Sequence, residues 1–184
     1  MNTELTAKRL GLLKELLPSA TRIAVLVNPT GPEAEALTQE AQTAVLTMGR
    51  QIELLSAATN GEIDSAYASL VQRQAEALLV TNSNLFVSRI VQLATLSVYH
   101  KVPTIHYLST FVRAGGLMAY GPTLSETNHQ AGIYVGRILK GEKASDLPVM
   151  RPTKFELVIN RQTARTLGLT VPPTLFALAT EVIE

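Results

Sequence analysis

The sequence lacks cysteine and tryptophan altogether, and aromatic residues make up only 5% of its 184 residues. Without cysteine the chain can form neither disulfides nor thiolate nucleophiles, and cysteine-containing zinc sites are excluded. A cysteine-free protein suits reducing and oxidising surroundings equally, so this absence does not fix the compartment. Acidic and basic residues nearly balance, 15 against 16, without a run of like charges. Because binding to a nucleic-acid backbone needs a clustered basic field, we expect no nucleic-acid partner.

A long hydrophobic run is also missing. The longest mostly apolar stretch, residues 85–98, is interrupted by Arg89 and Gln92 and is shorter than the roughly 20 apolar residues that a membrane-spanning helix needs. The first ten residues lack the basic and apolar regions of an export signal, so we expect none in this segment. Apolar residues nevertheless make up 46% of the chain and charged residues 17%, which is typical of a globular protein with a buried core.

Short apolar runs alternate with segments of helical periodicity along the first two thirds of the chain. Residues 22–27 form a continuous apolar run with β-branched residues, typical of a strand buried on both faces, and residues 34–48 then keep helical spacing. Further strands are predicted at residues 52–56, 77–80, 102–107 and 116–120. This alternation predicts the α/β class, with a mainly parallel doubly wound sheet that is covered by helices on both faces.

The pattern changes after residue 122. A helix is predicted from about Ser125 to Gly141, a charged connector follows, and residues 155–159 form one apolar strand. Asn160 is placed to cap a short helix. One strand cannot form a sheet by itself, so we expect this segment to need a pairing partner. Without a partner its apolar edge would drive formation of a homodimer or exchange of the segment between two copies.

Neutral polar residues stand at the points where the predicted strands end. Ligands of parallel α/β sheets bind beyond the carboxyl ends of the strands, where helix amino termini also point. The residues at these positions are the candidate ligand-binding residues: Asn28, Ser56, Asn82, Ser83, Asn84, Tyr107 and Tyr120. Asparagine and serine are also common turn and cap residues, and buried tyrosines are common in cores, so a purely structural interpretation stays open for each.

No catalytic or metal-binding motif is recognisable. The three histidines, at positions 100, 106 and 129, have no metal-ligand spacing, and the sequence contains no P-loop, GxSxG elbow or strand-linked GxGxxG. Acidic residues are spread over predicted helix faces instead of being paired within apolar runs. The sequence therefore predicts no enzymatic activity, no cofactor and no metal site. A small enzyme that uses residues 82–84 as an anion cradle is the remaining catalytic alternative.

Three stretches together resemble a known family. They are residues 7–29, from AKRLGLLKELLP to RIAVLVNP; residues 114–122, AGGLMAYGP; and residues 137–160, with RILKGEK and KFELVIN. The chain is similar to the ABC-transporter substrate-binding proteins of the type I periplasmic-binding fold, the group with TrpX-like amino-acid binders. The resemblance implies a small-molecule solute trapped between two α/β lobes and presented to an ABC permease, in a periplasmic or membrane-anchored extracytoplasmic location.

The resemblance also implies a division of the chain. Family members have a complete first lobe and an export signal before the segment that this chain resembles. Residues 1–121 are therefore expected to be the second lobe, and residues 122–184 the return segment that completes the absent first lobe. On this interpretation the chain is a fragment of a longer protein.

The resemblance says less about the class of ligand, because one family position differs in this chain. Several amino-acid binders of the family have an acidic residue at the position of Ser83, and this residue pairs with the ammonium group of the ligand. This chain has Ser83 instead, although the following residue, Asn84, matches the family. This departure favours a less charged ligand, such as an aromatic compound or a carboxylate. The same fold also serves as the effector-binding domain of transcription regulators, which is the alternative function.

Overall fold

A computed structural model describes residues 3–150 and 152–184 of the chain. The described strands form one seven-stranded sheet in the order β2-β1-β3-β4-β5-β6-β7. The strands are β1 Arg22–Val27, β2 Gln51–Ser56, β3 Ala77–Val80, β4 Thr104–His106, β5 Met118–Pro122, β6 Phe155–Asn160 and β7 Glu181–Ile183. The helices are α1 Thr3–Leu16, α2 Ala34–Thr47, α3 Asn60–Gln72, α4 Asn84–Ser88, α5 Ile90–Tyr99, α6 Ser109–Arg113, α7 Leu124–Leu139, α8 Arg161–Thr166 and α9 Pro173–Leu178.

Strands β1 to β5 are parallel, β6 is antiparallel to β5, and β7 is parallel to β6. The predicted α/β class with a mainly parallel doubly wound sheet is confirmed. Strand β4 is shorter than the predicted range 102–107, since Pro103 has no N–H to donate to the ladder. Strand β5 begins two residues later than predicted and includes Tyr120 and Gly121.

Two hydrophobic cores hold the helices on the sheet. Successive side chains of a strand point to opposite faces, and in β1 this places Val25 in one core and Leu26 in the other. Helices α1, α2, α8 and α9 contribute to the first core, and α3, α4, α5 and α6 to the second. Complete burial of each such aliphatic side chain stabilises the fold by about 1.5–3 kcal/mol.

The C-terminal strand is not an unpaired edge. Strand β6 pairs with β5 from Met118↔Ile159 to Pro122↔Phe155, and its other side pairs with β7. The expectation that residues 155–159 lack a partner was therefore wrong, because the free edge of β5 accepts an antiparallel strand. Strand β7 was missed because it is only three residues long and half exposed. The homodimer stays a prediction, but an unpaired β6 cannot be its cause.

Helix α7 differs from the other long helices in having no buried residue. Its apolar side chains are partly or largely exposed: Leu124, Ile133, Val135, Ile138 and Leu139. The chain leaves the sheet and returns to it at one point, where the Thr123 N–H donates to the Lys154 carbonyl at 3.1 Å. Across residues 3–150 and 152–184, no helix has both the length and the apolar character needed to cross a bilayer.

Candidate functional site

A cavity of about 350 Å³ opens at the carboxyl ends of β1, β3 and β4. This is the sheet edge at which the sequence predicts a binding site. The cavity is lined by Asn28, Thr30, Gly31, Pro32, Glu33, Ala34, Leu37, Asn82, Ser83, Asn84 and Tyr107. Five of the seven candidate residues are thus brought together, whereas Ser56 and Tyr120 do not line the cavity.

Asn28 and Ser83 join two sides of the cavity. The Asn28 Nδ2 donates to Ser83 Oγ at 2.9 Å, and Asn28 Oδ1 accepts from the backbone N–H and the hydroxyl of Thr30. Ser83 Oγ also accepts from the Leu85 N–H and so caps α4. The turn and cap interpretations therefore describe these two residues, which form a fixed wall that links the ends of β1 and β3.

Asn82 has a side-chain atom that makes no hydrogen bond within the described residues. Its Oδ1 is buried and has no hydrogen-bond partner among the described residues. A buried polar atom without a partner costs about 1–3 kcal/mol, so such atoms are uncommon in folded proteins. Asn84, the first residue of α4, is exposed at the cavity wall. Of the triplet 82–84, Asn82 is the residue with the strongest need for an external partner.

Buried polar atoms without a partner concentrate at this edge. Among the described residues they are Arg9 Nε, Asn82 Oδ1, His106 Nε2, Thr123 Oγ1 and Tyr67 Oη. Asn82 follows β3, His106 ends β4 and Thr123 follows β5, and these three strands are neighbours in the sheet. The other two atoms belong to helices, Arg9 Nε to α1 and the Tyr67 hydroxyl to α3. Of these residues, Asn82 lines the cavity.

Arg9 is the residue that the sequence-based search missed. It lies on α1, is only 1% exposed, and interacts electrostatically with Tyr107 and Tyr120. Burial lowers the pKa of Arg9 to about 10, while Tyr107, Glu40 and Tyr120 act in the opposite direction. Arg9 is therefore still a cation at neutral pH. Its spacing from Leu13 and Leu16, which places it on the buried face of α1, was the available signal.

His106 lies under the same edge as a neutral imidazole. Its Nδ1 accepts the Leu108 N–H at 3.0 Å, so the ring proton of the neutral form is on Nε2. Burial lowers the pKa of His106 to about 3, and the nearby Arg9 lowers it further in the same direction. The ring stacks on Tyr107 and Phe111 at centroid distances of 4.7 and 5.4 Å. His106 thus supports Tyr107 without adding charge.

Tyr107 is held by a close contact with β5. A Cβ atom added to Gly121 would lie 2.0 Å from the Tyr107 carbonyl oxygen, so only glycine allows this approach of the two backbones. The half-buried Tyr107 ring then lines the cavity. Burial raises the pKa of its hydroxyl, and Arg9 partly opposes this effect.

Tyr120 and Ser56 were predicted to stand where their strands end, and only Ser56 does. Tyr120 pairs with Leu157 in β5, and its ring stacks on Phe155 at 6.1 Å. Its link to the site is the electrostatic interaction with Arg9. Ser56 is the exposed last residue of the edge strand β2, opposite Val27. Strand β5 continues for two residues beyond Tyr120, whereas Ser56 ends β2 as predicted but does not line the cavity.

Glu33 and Thr30 are further lining residues that sequence reasoning missed. Both lie in the loop between β1 and α2, and Glu33 brings an exposed carboxylate to the rim of the cavity. The Asn28-Pro29 and Gly31-Pro32 pairs marked this loop as a turn. The described residues contain no group of three or more His, Asp or Glu side chains that could hold a metal ion.

The fold and the position of the cavity define an α/β ligand-binding domain, and comparison with known proteins identifies its family. The family described as "ABC transporter substrate binding protein" matches residues 1–183, so the chain belongs to this family. A tyrosine-binding protein of Clostridioides difficile (strain R20291) is 25% identical over 162 residues, which are 88% of this chain and 47% of that protein.

Two solved structures share the fold. A conserved domain protein from Vibrio cholerae O1 biovar El Tor N16961 is similar with a TM-score of 0.88 and 24% identity, over 96% of this chain and 60% of that chain. The ABC domain in complex with L-Trp from Streptococcus pneumonia is similar with a TM-score of 0.86 and 23% identity, over 97% of this chain and 62% of that chain. The chain therefore spans about half the length of the curated relative and about three fifths of these structures.

Proposed function

We propose that this chain is the solute-recognition part of the substrate-binding protein of an ABC importer and that it catalyses no reaction itself. The observation that carries this proposal is the cavity at the carboxyl edge of the sheet, whose lining includes Asn82 with its unpartnered amide oxygen. Such atoms are stabilised by a bound molecule that supplies the missing hydrogen bonds. The whole protein would release its solute to an ABC permease and act outside the cytoplasm.

The solute that fits the cavity best is a small aromatic amino acid or a related carboxylate. Tyr107 offers a ring face, and the Asn82 side chain in the cavity wall brings an amide group with hydrogen-bonding capacity. Glu33 adds a carboxylate at the rim, although the position of Ser83 has no acid. The names of a tyrosine-binding relative and of a structural relative in complex with L-Trp agree with this class.

The division of the chain is proposed in a narrower form than the sequence indicated. Residues up to Pro122 and from Phe155 onwards share one sheet, and would together form the second lobe. The segment between them, with the unburied helix α7, would pack on the absent first lobe. The longer relatives provide room for such a lobe, because this chain covers only 47–62% of their length.

The test is an NMR titration of the ¹⁵N-labelled chain with L-tyrosine, L-tryptophan and, as a neutral comparison, D-allose. If a whole protein binds with micromolar affinity, about 8 kcal/mol, half of the contacts would leave about 4 kcal/mol, or millimolar affinity. We expect shifts of cavity residues at millimolar amino acid and none with the sugar. Preferential binding of the sugar, or shifts spread evenly over the surface, would contradict the proposal.

Two variants locate the site. Asn82→Ala removes the unpartnered amide, and we expect the affinity for the amino acid to fall by about ten-fold, as for the loss of one hydrogen bond. Ser56→Ala is the matched control, because Ser56 also ends a strand but lies outside the cavity. If the two substitutions changed the affinity equally, the binding site would not lie at this edge of the sheet.

A further inference from the structure

The cavity at the carboxyl edge of the sheet has one charged side chain among the described residues that line it. This residue is Glu33, and the other lining residues are neutral. The described lining contains no arginine, lysine or histidine, and the buried Arg9 lies outside it. The cavity wall therefore carries one negative charge without a cationic side chain to offset it.

The carboxylate of Glu33 has no structural role that the contacts reveal. Glu33 stands directly before the first residue of α2, but its side chain makes no capping hydrogen bond. It also forms no ion pair within the part of the chain that the structure describes. By contrast, Glu62 in the first turn of α3 accepts the Ala58 N–H at 2.7 Å. Glu33 thus keeps its capacity to accept hydrogen bonds for an external group.

The start of α2 places Glu33, and not its acidic neighbour, at the cavity. Glu33 and Leu37 are four residues apart, the Leu37 N–H donates to the Glu33 carbonyl at 2.9 Å, and both residues line the cavity. Residues at this spacing lie on one face of a helix. Glu35 is also exposed, but it lies two residues along the chain and does not line the cavity.

Glu33 and Tyr107 belong to opposite ends of the set of strands that frames the cavity. Glu33 lies in the loop after β1, Tyr107 follows β4, and the sheet order places β3, which precedes Asn82, between these two strands. Neighbouring strands are about 4.8 Å apart, so β1 and β4 are separated by roughly 10 Å. A solute that spans the cavity therefore meets a carboxylate at one end and an aromatic ring at the other.

We propose that Glu33 makes the cavity select solutes that carry a cationic amine, and that this chain needs no carboxylate on the solute for binding. The ammonium group would pair with Glu33, and the apolar part of the solute would lie against Tyr107. The inference rests on the proposed solute-binding function and names the chemical feature that the same cavity recognises. It also replaces the expectation of a less charged ligand, which considered only the position of Ser83.

The experiment compares three probes of similar shape and different charge: 3-phenylpropylamine, 3-phenyl-1-propanol and 3-phenylpropionate. Dissociation constants are measured by ¹⁵N NMR titration of the whole chain at neutral pH and low salt. We expect the amine to bind about three-fold more tightly than the alcohol, the range for a solvent-exposed ion pair. The propionate should bind more weakly than the alcohol, because like charges repel. In about 1 M salt, which screens exposed charges, the preference for the amine should largely disappear.

Glu33→Gln removes the charge and keeps the size of the side chain. The preference for the amine over the alcohol should fall to near one in this variant, while the affinity for the alcohol should change little. Glu35→Gln is the matched control, because it removes the same charge from the first turn of α2 at a residue outside the cavity. This variant should keep the native preference. Both residues are exposed, so both variants should fold, and the salt dependence tests the native chain directly.

The outcomes separate the inference from the proposed function. The inference is wrong if the native chain binds amine and alcohol equally, if it binds the propionate most tightly, or if the preference for the amine survives in Glu33→Gln or in 1 M salt. An equal loss of this preference in Glu35→Gln would also overturn it, because the effect would then come from net charge. Solute binding would stand in each of these cases. If no probe binds the native chain, the inference is overturned, and if L-tyrosine and L-tryptophan also fail to bind, so is the proposed function.

Discussion

The sheet-bound body of the molecule and the segment from Thr123 to Lys154 are built from similar residues but differ in what surrounds them. Helices α2 and α3 each bury an apolar face against the sheet, whereas α7 is as amphipathic in sequence and buries no residue. Periodicity predicts a helix with an apolar face, but it does not say which surface covers that face. The comparison indicates that the body carries most of the stability of this chain, since the apolar face of α7 stays uncovered.

Leucines in the two regions provide the largest expected contrast. Leu79 in β3 is completely buried, whereas Leu139 at the end of α7 is 82% exposed. Leu79→Ala should lower the free energy of unfolding by about 2–5 kcal/mol, because it removes buried surface and leaves a cavity. Leu139→Ala should change it by less than about 0.5 kcal/mol. Urea denaturation measures both values, and a comparable loss for Leu139→Ala would mean that α7 is covered within this chain.

Glycines provide the second contrast. Gly121→Ala would force the new methyl group against the Tyr107 carbonyl, and we expect a loss of about 1–3 kcal/mol, typical of overpacking. Gly132→Ala in α7 meets no atom within 4 Å and should raise helix stability by up to about 1 kcal/mol. Thermal denaturation should therefore shift the melting temperature in opposite directions. A neutral Gly121→Ala would show that the β4 and β5 backbones can separate without cost.

The contrast also shows what the sequence could reveal about the fold. The apolar runs and helical spacings of the body predicted its class and most of its strands because each run is buried by its own neighbours in the chain. They failed for β7 and for the partner of β6. Pairing across the sheet is set by which edge is free after residues 118–122 have folded, and no local pattern carries that information.

The candidate site was predictable to a similar degree. The rule that ligands bind at strand carboxyl ends led to Asn28, Asn82 and Tyr107, since that rule needs only the order of strands and turns. The buried Arg9 escaped it because α1 precedes the first strand and packs on the face of the sheet. A cation in an amphipathic helix is usually on the solvated face, so only its place on the buried face could have distinguished Arg9 from Lys8.

Histidines provide the third contrast, through pH. The pKa of His106 is about 3 in the folded chain, against about 6.5 when unfolded, so between these values the unfolded state binds a proton that the native state does not. Stability is therefore unaffected by His106 above pH 6.5 and falls by about 1.4 kcal/mol per pH unit as the pH decreases below it. Urea denaturation at several pH values should show a smaller slope for His106→Gln.

His129→Gln is the control for this slope, because His129 lies exposed on α7. The control should keep the slope of the native chain. A slope that persists unchanged in His106→Gln would mean that His106 becomes protonated in the folded chain. The assignment of His106 as a neutral imidazole that stacks on Tyr107 would then be wrong.

Association provides the smallest effect and the most direct test of α7 as an unpartnered surface. An exposed apolar helix face without its partner favours contact with a second copy, so light scattering should show a concentration-dependent dimer. Val135 and Leu139 are one turn apart on α7, and replacing both with glutamine should shift the equilibrium to monomer. Replacing Leu46 and Val71, equally apolar and exposed on the body, should not. A native chain that stays monomeric at all concentrations would show that α7 needs no cover, and a dimer lost in the Leu46 and Val71 variant would place the contact on the body instead.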